Sequence, residues 1–239
     1  RPRPGARTST PPVMRGASRN GAVLGYAPAT KVRSGHGGVI GGLLVDSGQF
    51  DGDRPGAGAG KFPTLTEPYA GFHDMVFAEE STTGAFLLRA RREGVRDFGA
   101  CMAPMTAFHI LQGIETLPVR MARHVENTRA IVAFLRAQPF VAEIAYPELP
   151  DHPDHALAAR LLPRGCGAVF SFNLRGTRDQ GRRFIETLRI FSHLANVGDA
   201  KSLVMHPAST THFRMSADDL QPHRIAEGKI RVHSGRDEA

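Results

Sequence analysis

From residue 139 onward the chain alternates between two kinds of segment. Val141 to Tyr146 reads as a strand, His155 to Leu162 as a helix, Ala168 to Leu174 as a strand, Gln180 to Leu188 as a helix, and Lys229 to His233 as a strand. Alternation of this kind places a sheet beneath covering helices, so residues 139–239 are expected to form an α/β domain. With 239 residues and 41% hydrophobic content, the chain is long enough to bury a sizeable core.

Upstream, the pattern is helical in three places. From Thr82, Phe86, Leu87, Ala90 and Val95 recur at nearly helical spacing, while Arg89, Arg91 and Arg92 mark a solvated face. Met105 to Leu117 predicts a second helix. Pro118 opens a third, with Val119, Ala122, Val125, Val132 and Leu135 as its core-facing stripe, and this helix is long enough to connect two domains. Val39 to Asp46 reads as a short buried strand entered through Gly35, Gly37 and Gly38, and Gly48 to Phe62 as a mobile, Gly-rich loop. Residues 1–27 combine Pro, Gly and scattered Arg with little periodicity, the signature of a basic disordered arm.

Charge and cysteine content exclude several functions. The net charge is +7, but residues 1–45 carry seven basic residues and no Asp or Glu. Removing those seven leaves 23 basic residues against 23 acidic ones, so the body is neutral. The arm holds Tyr26 as its one aromatic and offers no stacking platform, which argues against nucleic acid as a partner. The longest apolar runs fall far short of the roughly 20 residues that span a bilayer, so no membrane role is expected. Cys101 and Cys166 form no Cys-x-x-Cys pairing, which fits a reducing, cytoplasmic setting. His152 and His155 have a His-x-x-His spacing without a further ligand cluster; His193, His206 and His212 are expected to serve packing and hydrogen bonding. No metal is predicted.

The candidate chemistry begins at Ala29-Thr30-Lys31, followed by Ser34-Gly35-His36-Gly37 and an apolar strand. By local pattern this is a lysine beside a Gly-rich turn, for which a surface residue is the ordinary reading; burial would be needed to tune its amine. Further segments give it context: Lys61-Phe62-Pro63 with Glu67-Pro68-Tyr69, Arg96-Asp97-Phe98-Gly99-Ala100-Cys101, Gln112-Gly113-Ile114-Glu115-Thr116-Leu117-Pro118, and the stretch from Phe191 to His212. Ile230-Arg231-Val232 with Gly235 and Asp237 follows near the end.

Together these residues resemble the Cys/Met-metabolism pyridoxal-phosphate enzymes, and the stretch from Phe191 to His212 is similar to their O-acetylhomoserine sulfhydrylase branch. The resemblance runs from about Ala29 to the end of the chain. It implies an α/β fold, the C-terminal portion of a fold-type I transferase: the end of the large domain with its connecting helix over residues 28–138, then the small C-terminal α/β domain over 139–239. It implies pyridoxal 5'-phosphate as cofactor, held through the amine of Lys31, with the Thr30 hydroxyl on the phosphate. Arg231 and Asn196 would bind the substrate carboxylate, the guanidinium as a planar, charged fork. The substrates would be O-acetylhomoserine and sulfide, the products homocysteine and acetate, and the enzyme a cytoplasmic homotetramer.

The chain also departs from the family pattern. The phosphate loop, the ring-stacking tyrosine and the aspartate that pairs with the pyridinium nitrogen find no counterpart upstream of Lys31, although that aspartate makes the ring an electron sink. Pro28 stands where the family has serine, Val32 where it has an aromatic, His233 where the motif has serine, and Asp237 where it has glutamate. The start at Arg1 points to a fragment. Beside the enzyme reading stands an alternative: a truncated, non-catalytic remnant, or an assembly partner of a complete paralogue. In the parent architecture the strand near Val39 to Val45 would take its neighbours mainly from the other half, leaving an apolar edge here.

Overall fold

The computed structural model describes residues 6–7, 24–48, 62–81, 84–220, 222 and 225–237. These fall into two units, one built on residues 6–7, 24–29 and the described part of 40–108, the other on residues 30–39 and the described part of 109–239.

In the first unit, strand β1 (Ala6–Arg7) runs parallel to β2 (Leu24–Pro28), and β2 pairs antiparallel with β3 (Gly42–Asp46), from Leu24 opposite Asp46 to Pro28 opposite Gly42. Residues 24–27, expected to belong to a disordered arm, lie in β2. Their pairing is with a strand many residues away, and the Gly- and Pro-rich surroundings carry no periodicity to announce it. Residues 1–5 and 8–23 of the expected arm and 49–61 of the expected Gly-rich loop lie outside the described residues. The strand expected to be buried is instead an edge, with Leu43, Leu44 and Val45 exposed. An apolar strand reads as buried only if a neighbour covers it.

Helices α1 (Pro63–Thr66), α2 (Phe77–Glu80) and α3 (Ala85–Arg89) enclose Leu65, Phe72, Phe77 and Ala85. Residues Ala90–Asp97 continue α3 as a π-helical segment. Arg91 and Arg92 are exposed, as expected. Arg89 is not: it pairs with Glu93 at 2.7 Å and lies 4.7 Å above the Tyr69 ring centroid. Helix α4 (Pro104–Glu115) begins in this unit, and its residues from 109 belong to the second.

The second unit is organised by α5 (Leu117–Arg136), which at 20 residues is about 30 Å long. Its buried face carries Leu117, Met121, Val125, Val132 and Leu135 together with Arg120, His124, Asn127 and Thr128. Val125, Val132 and Leu135 match the expected stripe. Val119 and Ala122 do not: both are exposed, Val119 by 75%. The face is rotated because polar residues occupy part of it, each satisfied by a main-chain partner.

Five strands form a mixed sheet in the order β4 (Val141–Ala145), β5 (Val169–Leu174), β8 (Lys229–His233), β7 (Leu203–Met205), β6 (Ser192–His193). All neighbours are antiparallel except β6 and β7. Helices α6 (His155–Leu161), α7 (Arg178–Thr187) and the short α8 (Ala217–Leu220) complete the unit. The expected α/β alternation is therefore present, with two short strands added inside the Phe191 to His212 stretch. Helix α7 starts two residues earlier than expected because Thr177 and Gln180 form a capping box. The core joins Val132 and Leu135 of α5 to Phe170 and Phe172 of β5, Val204 of β7, Ile230 and Val232 of β8, and Ile185 of α7. Each such side chain contributes roughly 1.5–3 kcal/mol on burial. This packing fixes where β8 ends, and with it Arg231 and His233.

Candidate active site

Lys31 sits in an irregular turn rather than a regular element. Lys31 itself is half-buried, whereas Val32, Arg33 and Ser34 beside it are buried. The turn is closed internally: Gly35 N donates to Lys31 O at 2.7 Å and Ser34 Oγ to Thr30 O at 2.6 Å. From α5, Arg120 reaches it with hydrogen bonds to Val32 O at 3.0 Å and Arg33 O at 3.3 Å. From the other side, Ala200 N donates to Gly35 O at 2.9 Å.

That last bond ties the lysine turn to the turn containing Asn196. Val197 N donates to Asn196 Oδ1 at 2.9 Å, and Asn196 Nδ2 lies 3.5 Å from Asp199 Oδ2. Gly198 has φ of 83°, and a Cβ there would overlap Val32 Cγ2. Only glycine allows both the left-handed backbone and the close approach of Val32.

Arg231 lies on β8, in register with Ser171 of β5 and Met205 of β7. Its guanidinium is half-buried and donates to Met205 Sδ at 3.7 Å, a weak acceptor. Among the described residues it has no carboxylate partner. A permanently charged fork on the end of a rigid strand is suited to receiving one from a ligand.

Beyond Arg231 the chain is fastened to α5 and to the Asn196 turn by residues that sequence reasoning treated only as departures. His233 Nδ1 accepts from Gly198 N at 3.4 Å, so Nε2 carries the proton and donates to Asp199 O at 2.9 Å. Burial pushes the His233 pKa down to about 4, with further lowering from His124. The two rings lie 5.3 Å apart. His124 Nδ1 donates to Ser234 O at 2.6 Å, and its pKa is also lowered by burial. Asn127 Nδ2 donates to Gly235 O at 3.0 Å and Asp237 O at 2.7 Å, while the Asp237 carboxylate accepts from Ser202 N at 2.6 Å. Arg120, His124 and Asn127 escaped sequence reasoning. Their signal was present: polar residues recurring every three or four positions on the apolar face of a helix.

A family model described as Cys/Met metabolism PLP-dependent enzyme matches residues 8–239. The chain belongs to this family. It is similar to O-acetyl-L-homoserine sulfhydrylase 1 of Thermus thermophilus, 42% identical over 215 residues that cover 90% of this chain and 50% of that protein. It is similar also to homocysteine synthase of Schizosaccharomyces pombe, 41% identical over 216 residues, again 90% and 50%. Among solved structures, an O-acetylhomoserine (thiol)-lyase chain from Campylobacter jejuni, which carries N'-pyridoxyl-lysine-5'-monophosphate, superposes with a TM-score of 0.85 at 28% identity. The match covers 95% of this chain and 53% of that one. Cystathionine gamma synthase from Xanthomonas oryzae gives 0.73 at 29% identity, covering 98% and 51%. The chain thus spans about half the length of the relatives it matches, and its architecture is that of part of a fold-type I enzyme.

The residues present fit one end of the family's cofactor. A primary amine on a turn fastened from two sides suits a covalent attachment point, and Thr30 adjoins it. A cavity of about 410 Å³ lies beside the same turn, lined by Ser34, His36, His109, Gln112 and Glu115, but neither Lys31 nor Thr30 lines it. Among the described residues no helix is long and apolar enough to cross a membrane, and no group of three or more His, Cys, Asp or Glu is placed to hold a metal.

Proposed function

We propose that this chain carries the lysine and carboxylate-binding part of an O-acetylhomoserine sulfhydrylase, which converts O-acetylhomoserine and sulfide into homocysteine and acetate. The observation that supports it most is the interlock of the Lys31 turn with the Asn196 turn, through Ala200 N to Gly35 O and Val32 beneath Gly198. In this reading Lys31 holds pyridoxal 5'-phosphate and Thr30 contributes to its phosphate. The cofactor, when bound, withdraws electrons from the substrate α-carbon.

Arg231 and Asn196 grip the α-carboxylate and orient the substrate. Lys31 Nζ takes the proton from Cα and passes protons on as acetate leaves from Cγ and sulfide replaces it. The ring-stacking aromatic and the pyridinium partner come from the half of the relatives' length that this chain does not span. We place the reaction in the cytoplasm and in a tetramer whose neighbouring subunit completes each site, with residues 139–239 as the C-terminal α/β domain.

The test has two arms. The purified chain is incubated with pyridoxal 5'-phosphate, reduced with borohydride and mapped by peptide mass spectrometry; the adduct is expected at Lys31 in preference to Lys61, Lys201 and Lys229. The chain is then combined with the complementary half of the Thermus relative and assayed for homocysteine, which Lys31→Ala should abolish. Labelling spread evenly over the four lysines would overturn the assignment of Lys31.

A further inference from the structure

Arg120 is 7% exposed, yet among the described residues no carboxylate pairs with its guanidinium. A buried charge is costly unless its donors are met, usually by an opposite charge. Here they are met by three main-chain carbonyls, Val32 O at 3.0 Å, Arg33 O at 3.3 Å and Gly113 O at 2.5 Å, and by Thr116 Oγ1 at 3.1 Å. The fork therefore spans from α4 and α5 to the two residues that follow Lys31.

Two features show that the arrangement is built around this contact. Gly113 lets the lysine turn approach α4, since a Cβ there would overlap the carbonyls of Ser34 and Arg33. Lysine could not replace Arg120: its ammonium is a point charge on a flexible stem and cannot reach carbonyls on both sides at once. Burial lowers the Arg120 pKa, with a further contribution from Arg236, but a guanidinium stays charged across the physiological range.

We infer that Arg120 is the positioning residue for Lys31, clamping the Val32 and Arg33 carbonyls so that the Lys31 amine is held at a fixed place relative to Asn196. The inference rests on the reading of Lys31 as the cofactor amine. Arg120 touches neither substrate nor cofactor and acts through the turn.

Hydrogen exchange in the full chain tests the clamp directly. Arg120→Gln should raise exchange in the peptide covering Lys31–Gly35 by roughly tenfold or more, because hydrogen bonds from a charged donor are lost, while β5 and β8 keep their protection. Borohydride trapping with pyridoxal 5'-phosphate should show Lys31 losing its preference over Lys201 and Lys229 by a similar factor, with Arg120→Lys intermediate. Unchanged exchange at residues 31–35 in folded Arg120→Gln would overturn the clamp even if Lys31 is the labelled lysine. If the parent chain shows no preference for Lys31, the cofactor reading fails while the exchange result still decides the clamp. Should Arg120→Gln fail to fold, Gly113→Ala, which pushes the same turn with Arg120 intact, is expected to loosen residues 31–35; protection equal to the parent would overturn the inference.

Discussion

Lowering the pH should destabilise the unit that holds Arg231, and His233 should account for a measurable share. The imidazole is buried, with its donor on Asp199 O and its acceptor on Gly198 N, and Asp199, His124 and Arg231 are the charged or titratable groups around it. In the folded chain its pKa is about 4, against 6.5 for the free group. Between those values the unfolded chain binds a proton that the folded chain does not, so stability falls as pH falls. The contribution is complete above pH 6.5 and is lost progressively toward pH 4. The difference between about 4 and 6.5 amounts to on the order of 3 kcal/mol, of which about half should disappear between pH 6.5 and 5. His124, lowered in the same direction, adds to the slope. Urea unfolding followed by circular dichroism at several pH values measures the effect in the parent chain and in His233→Asn, whose amide can keep one donor and one acceptor without titrating. The variant should lose on the order of 1–2 kcal/mol less over that interval. Equal slopes in the two proteins, or an NMR titration of His233 near 6.5 in the folded chain, would refute the argument.

Other substitutions probe separate parts of the structure. Gly198→Ala should destabilise by about 1–3 kcal/mol from its left-handed backbone alone, and more from overlap with Val32; thermal unfolding measures the loss, and borohydride trapping should show weaker labelling at Lys31. Phe172→Ala removes a ring packed among Phe170, Phe184 and β8, and should cost about 3–5 kcal/mol in denaturant unfolding. In the completed enzyme, Arg231→Ala should raise KM for O-acetylhomoserine by roughly 10- to 100-fold, the worth of hydrogen bonds from a charged donor, without altering Lys31 labelling.

What could be read in advance divides along a physical line. The strands at Val169–Leu174 and Lys229–His233 and the helix α5 were legible because their apolar residues follow a local period that burial imposes. The lysine turn was visible as a motif, yet its conformation was not, because it is set by Arg120, which is 88 residues from Val32 along the chain. Hydropathy also misplaced the face of α5. It counted Val119 and Ala122 as core, whereas Arg120, His124, Asn127 and Thr128 are buried in their stead. Such residues read as solvent-facing until their partners are known: the carbonyls of Val32, Ser234, Gly235 and His124 satisfy one each, and all of these but the last lie far away in sequence. The same reasoning explains why His233 and Asp237 looked like damage to a motif. Each meets main-chain groups of the 198–202 segment, His233 through Gly198 N and Asp199 O, Asp237 through Ser202 N. Histidine in place of the motif serine need not loosen the carboxylate-binding strand, because the ring bonds Gly198 N and Asp199 O and contacts His124. What it adds is acid sensitivity, since the bridge requires a neutral imidazole, and this is why the pH dependence of the parent chain and of His233→Asn should differ.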